Sequence, residues 1–189
     1  MTKSSYLAAL ERHRSAFSLV EQYEQQAQQL LAVVSASLKR GGKIIWMGNG
    51  GSAADSQHLA AEFMVRYKLE RGPLASIALT TDSSILTAHS NDYEFATVFS
   101  RQVQGLAKPE DVVIGLTTSG QSDNINLALA AANELGAYSV ALTGRDGGKV
   151  KDIAQLPIIV QSDETARIQE VHMFIGHWLC EALDLELAL

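Results

Sequence analysis

The chain has 189 residues, 47% of them hydrophobic and 19% charged, with a formal net charge of −6. That length suits about one domain and buries about 70% of the unfolded surface, and the composition excludes disorder, collagen-like repeats and low-complexity polymers. Fifteen Lys plus Arg against twenty-one Asp plus Glu, with no basic cluster, give no face for binding nucleic acid by counterion release. The single cysteine, Cys180, cannot form an internal disulfide, which fits a reducing compartment. The opening MTKSSYLAALERHRS has no apolar stretch after a basic head, and no run approaches about 18 continuous apolar residues. The expectation is a soluble, cytoplasmic single domain over residues 1–189, without a nucleic-acid or membrane partner.

The first forty residues read as a helical extension. Leu7, Leu10, Phe17 and Val20, then Leu30, Leu31, Val34 and Leu38, fall at near-helical spacing, and Gly41-Gly42 ends the pattern. Short apolar runs then alternate with helical stretches. Strands are predicted at Ile44–Met47, Ser76–Leu79, Val112–Leu116, Ser139–Leu142 and Pro157–Val160. Between them lie helices over about 53–66, 85–106 with a break near Ser90-Asn91-Asp92, and 124–135, then a weak turn before the last strand. A long helix from about Thr165 to Leu187 closes the chain. This alternation predicts an α/β fold, a doubly wound five-stranded parallel sheet with helices on both faces.

Two loops stand out, GNGGSAADS after strand one and TTSGQSDN after strand three. Open α/β sheets bind ligands beyond the carboxyl ends of their strands where strand order reverses, and in a flavodoxin-like order both loops face that crevice. Helix N-termini offer unpaired N–H groups, glycines allow close backbone approach, and Ser and Thr hydroxyls donate and accept, which suits a phosphorylated or hydroxylated small molecule. Ordinary turn and cap roles are the competing explanation. Neither loop carries the lysine of a P-loop. Gly48, Gly50 and Ala53 satisfy G-x-G-x-x-A, but the acidic partner expected about twenty residues on is missing, which argues against dinucleotide binding.

His58 and Glu62, four apart, share a helix face. The last helix carries Gln169, Glu170, His172 and His177; at about 100° per residue Gln169 lies about 80° from His177 and Glu170 about 20°. Spacing alone leaves both open. Such groups suit a zinc-like ion or acid–base work, or else are only helix-surface decoration. His13 and His89 have no comparable partners and are read as non-functional, and Cys180 as core.

The runs GNGGSAADSQHLAAEF, TTDSSILTAHSND, TTSGQS, TGRDGG and ARIQEVHMFIGH resemble the sugar isomerase (SIS) domain and, within it, the phosphoheptose isomerases, over nearly the whole chain. The glycine and Ser/Thr loops identify only the fold; HxxxE early with QxxxxxxxH late is the specific part. The resemblance implies interconversion of sedoheptulose 7-phosphate and D-glycero-D-manno-heptose 7-phosphate, the first step of heptose supply for lipopolysaccharide. By position it implies zinc ligands His58, Glu62, Gln169 and His177, with Glu62 also the catalytic base and His177 the acid. Asn49, Gly50, Gly51 and Ser52 match a first substrate loop, Asn91 and Asp92 a second contact, and Thr117, Thr118, Ser119 and Ser122 the phosphate loop, while Gln169 also touches substrate. Gln121 and Ser90 depart from the family's usual residues. The resemblance further implies a homotetramer with shared active sites. The alternative is a non-catalytic relative that binds the bacterial replication initiator protein; those lack the Glu and the final His, both present here.

Overall fold

The computed structural model describes residues 5–187. Helices α1 (Tyr6–Phe17) and α2 (Glu24–Lys39) occupy the N-terminal region, but not as one continuous helical run. A 3-10 turn at Val20–Tyr23 interrupts them. That turn places the buried Tyr23 ring in the core, where its hydroxyl accepts from Gln161 N at 2.9 Å.

Five strands follow: β1 (Ile44–Gly48), β2 (Ser76–Ala78), β3 (Val112–Thr117), β4 (Tyr138–Gly144) and β5 (Leu156–Val160). All neighbours pair in parallel in the order β2-β1-β3-β4-β5, so the reversal point lies between β1 and β3 as expected. Between and after them run α3 (Gly51–Met64), α4 (Ser83–Asp92), α5 (Val98–Leu106), α6 (Asp123–Glu134) and α7 (Thr165–Leu187). The weak turn before β5 is a 3-10 turn at Lys149–Asp152. The helical break falls after Asp92, later than expected, because Tyr93 N still bonds His89 O at 2.9 Å and the two rings stack.

Side chains alternate across the sheet and sort the helices into two layers. Ile44, Trp46, Ile114 and Leu142 face a core shared with α2, α3 and α7. Ile45, Met47, Val113 and Ala141 face the opposite core, shared with α5 and α6. Strands buried on both faces read as continuous apolar runs, and β1 and β3 are buried at every position. The layering puts α3 and α7 side by side. No helix among the described residues is long and apolar enough to cross a membrane.

Candidate active site

The first loop leaves β1 at Gly48 and turns through Gly50, whose φ of 57° lies in the left-handed region. Helix α3 starts at Gly51, two residues before its expected start. Asn49 and Asn124 exchange amide hydrogen bonds, each 2.9 Å, so the N-termini of α3 and α6 are joined across the reversal point. In the second loop the Thr117 and Ser122 hydroxyls lie 3.1 Å apart, and Ser119 Oγ accepts from Gln121 N at 3.2 Å. Ser122 is the N-cap position of α6, and its side chain makes no capping hydrogen bond, while its carbonyl accepts from Ile125 N and Asn126 N at 3.0 Å.

The TGRDGG tract braces this loop, a role that its sequence alone did not suggest. Gly120 has φ 66° and packs on the Gly147–Gly148 backbone so closely that a Cβ there would collide with the Gly147 carbonyl. Val150 N donates to Gly120 O at 3.1 Å.

Helix α7 reaches both ends of α3. Near the α3 N-terminus, Gln169 Nε2 donates to the buried Ser52 Oγ at 3.4 Å, and a Cβ on Gly51 would lie 2.6 Å from that nitrogen. Farther along, Gly176 packs so tightly on Leu59 that an added Cβ would lie 2.5 Å from Leu59 Cδ2. There the acid–base candidates meet. His58 Nε2 is 3.0 Å from His177 Nε2 and 3.4 Å from Glu62 Oε1, and the Tyr67 ring stacks on His177. Burial and the neighbouring His58 hold His177 below the ordinary histidine range, against the opposing pull of Glu62.

Among the described residues, no three His, Cys, Asp or Glu side chains form a ready-made metal cluster. The donor chemistry nonetheless suits zinc: two imidazole nitrogens and a carboxylate. With ligand bonds of about 2.0–2.1 Å, tetrahedral donors stand about 3.3 Å apart. The His58–Glu62 separation matches that spacing, and the His58–His177 pair is a few tenths of an ångström closer. Gln169 lines the same open groove as His177, of about 630 Å³, while its amide nitrogen is engaged by Ser52.

The expected residues are thus brought together unequally. His58, Glu62 and His177 converge, and Gln169 joins the first loop through Ser52. Asn91 and Asp92 lie apart on the exposed end of α4, bonded to each other at 2.9 Å. Two groups lining the groove, Asp55 and His13, were not among the expected site residues. Asp55, one turn before His58, has a buried Oδ2 without a partner among the described residues, and burial raises its pKa against the lowering effect of His58. Its signal was the i, i+3 spacing to His58. His13, read as lacking a partner, in fact pairs with Glu170 at 2.9 Å. That contact joins α1 to α7 over 157 positions, and nothing local announces it. His89 likewise has a partner, Thr97 Oγ1 at 2.8 Å.

Comparison with known proteins agrees with this arrangement. The SIS domain model matches residues 5–144. A phosphoheptose isomerase of Aquifex aeolicus is 54% identical over 167 residues, 88% of this chain and 87% of that one. The structure of a phosphoheptose isomerase from Neisseria gonorrhoeae superposes with a TM-score of 0.89 at 41% identity, covering 94% of this chain and 96% of that one. One from Francisella tularensis gives 0.91 at 34% identity, covering 94% and 95%. The sugar isomerase domain of a Sphaerobacter thermophilus RpiR transcription factor, 15% identical with a TM-score of 0.69, shares the fold alone. By sequence over most of its length and by structure, the chain belongs to the phosphoheptose isomerase family of SIS-domain proteins.

Proposed function

We propose that the chain interconverts sedoheptulose 7-phosphate and D-glycero-D-manno-heptose 7-phosphate through an enediol, supplying heptose for lipopolysaccharide synthesis. The coarser statement, a sugar phosphate isomerase of the aldose–ketose type, follows from its family. The observation that carries the finer reading is the meeting of Glu62 and His177 around His58 beside a groove that Gln169 also lines.

Moving hydrogen between C1 and C2 needs a base for the carbon-bound proton and a donor for the carbonyl oxygen. Glu62 is the base, taking the proton from one carbon and returning it to the other. His177, whose pKa burial and His58 lower, gives an imidazole proton to the carbonyl oxygen as it gains charge and recovers one from the neighbouring hydroxyl. Thr117, Thr118, Ser119 and Ser122, with the N-terminus of α6, receive the phosphate. Asn49, Gly50, Gly51, Ser52 and Gln169 hold the sugar near the acid–base pair, and Asn91 and Asp92 add a second contact.

His58, Glu62, Gln169 and His177 would hold one zinc ion, which polarises a carbonyl oxygen when bound. Glu62 and His177, whose loss marks the assembly-factor alternative, are both present and share one cluster, so the geometry favours the enzyme. A homotetramer accounts for α4, which buries none of its residues within one chain, exposes Ile85 by 42% and is capped by Tyr93 at 65% exposure, next to Asn91 and Asp92. The single buried cysteine is in keeping with a cytoplasmic location. A proton NMR assay with sedoheptulose 7-phosphate, with and without added zinc, tests the reaction. Signals of the aldose are expected, and their absence under both conditions overturns the reading. Light scattering at micromolar concentration tests the tetramer, and a monomer would count against shared sites.

A further inference from the structure

Glu62 stands near the C-terminal end of α3, where helix carbonyls normally lack intrahelical partners. Here the Arg71 side chain takes up two of them, those of Glu62 and Phe63, and Leu74 N also donates to Phe63 O at 3.1 Å. Arg71 Nη2 donates to Glu62 O at 2.9 Å, and Nη1 donates to Phe63 O at 2.9 Å and Gly72 O at 3.0 Å. The remaining edge of the guanidinium, Nε, donates to Asp184 Oδ1 at 2.7 Å. Asp184 Oδ2 in turn accepts from Lys68 N at 2.8 Å and Leu69 N at 2.9 Å. The two side chains keep only 4% and 1% of their surface exposed.

Asp184 lies on α7 seven residues after His177, about two turns on and within about 20° of the same face. The buried pair is therefore bonded at one end to the backbone of Glu62 itself, and at the other is part of the helix that carries His177. A buried ion pair is not in itself a stabilising device, since well-packed apolar replacements are often as stable. A planar guanidinium, by contrast, fixes direction, because its donors leave at set angles and meet four acceptors here.

We propose that Arg71 and Asp184 are positioning residues for the isomerase reaction, locking the end of α3 to α7 so that the Glu62 carboxylate and the His177 imidazole face the substrate at a fixed separation. The inference rests on Glu62 and His177 being the acid–base pair. The sensitivity is large in principle, because misplacing reacting groups by about 1 Å costs about a hundredfold in rate. Arg71 touches neither the substrate groove nor a reacting atom, so it acts only through the two helices.

The test compares Arg71→Lys, which keeps charge but not the fork, with Arg71→Met/Asp184→Leu, which keeps volume without either charge. Each is assayed at a temperature where circular dichroism shows it folded. Both are expected to lose at least about tenfold in kcat with KM within about threefold of the parent, the split that misaligned catalytic groups produce. In a Glu62→Gln background the further loss on Arg71→Lys should shrink to about twofold or less, because the group being aligned is gone. Parental kcat in either folded variant, or full additivity with Glu62→Gln, overturns the proposal. Crystal structures of the variants give a readout that needs no turnover: the His58–His177 and His58–Glu62 separations should change by about 1 Å. Unchanged separations overturn the proposal even if kcat falls. A parent protein inactive on sedoheptulose 7-phosphate would instead refute the proposed reaction, with the separations still deciding whether the pair aligns the helices.

Discussion

The Nε2 atoms of His58 and His177 lie 3.0 Å apart although 119 positions separate the two residues in the chain. The pair exists because α3 and α7 pack side by side on one face of the sheet, and it brings Glu62, one turn along α3 from His58, to the same place.

Glu62→Gln keeps the shape of the side chain and removes the base. Turnover should fall by at least about a hundredfold, the lower range for a general base, with the circular dichroism spectrum unchanged. Activity within about threefold of the parent would take Glu62 out of the proton-transfer role assigned to it.

Gly120→Ala should act on phosphate recognition. The added methyl group meets the Gly147 carbonyl and the residue must hold φ near 66°, so the 117–122 loop has to move. Losing one good hydrogen bond to a charged group is worth about 1.5–3 kcal/mol, and KM for the phosphate ester should therefore rise about ten- to a hundredfold. Binding of phosphate-free sedoheptulose, measured calorimetrically, should change little. An equal loss for both ligands would show that the loop does not read the phosphate.

His172 supplies a pH dependence of stability. It is fully buried, and burial lowers its pKa to about 4, against the raising effect of its 3.0 Å contact with Thr143 O. Its Nδ1 is buried without a partner, so a second proton finds no acceptor among the described residues. Between pH 4 and 6.5 the unfolded chain binds this proton and the folded one does not. Stability therefore rises with pH through that window, is complete above the ordinary histidine value, and is lost on acidification toward pH 4. The loss amounts to about 3 kcal/mol at most. Urea midpoints across this range should fall steeply for the parent and less steeply for His172→Gln. Identical slopes would mean that His172 is protonated in the folded state.

Turnover in deuterium oxide distinguishes proton transfer from direct hydride transfer. The Glu62 side chain keeps 23% of its surface exposed, so water reaches the carboxyl group and can exchange the proton it carries. Deuterium should enter the aldose product at C2 and recovered ketose at C1, read by NMR or mass spectrometry. Partial incorporation fits, because the proton can return before it exchanges. Repeated turnover with no deuterium would mean that hydrogen passes directly between carbons and that Glu62 carries none of it.

Much of this molecule is determined locally. The buried strands read as apolar runs because a parallel sheet covered on both faces needs apolar side chains at nearly every position, and the two loops announce themselves because glycine and hydroxyl residues suit tight turns beside helix N-termini. His58 and Glu62 are neighbours by helical spacing alone, whatever the rest of the chain does. Tertiary structure decided the rest. Spacing left Gln169 and Glu170 both open; in the folded chain Gln169 meets Ser52 of the first loop, while Glu170 turns to His13 and Arg167. The bracing of Gly120 by Gly148 and the Arg71–Asp184 pair are also invisible in sequence, since each joins groups whose approach is set by how α3, α7 and the strand ends pack. Periodicity reports which face of one helix is buried. It carries no information about which side chain of another element waits there, because that depends on the relative placement of helices from distant parts of the chain.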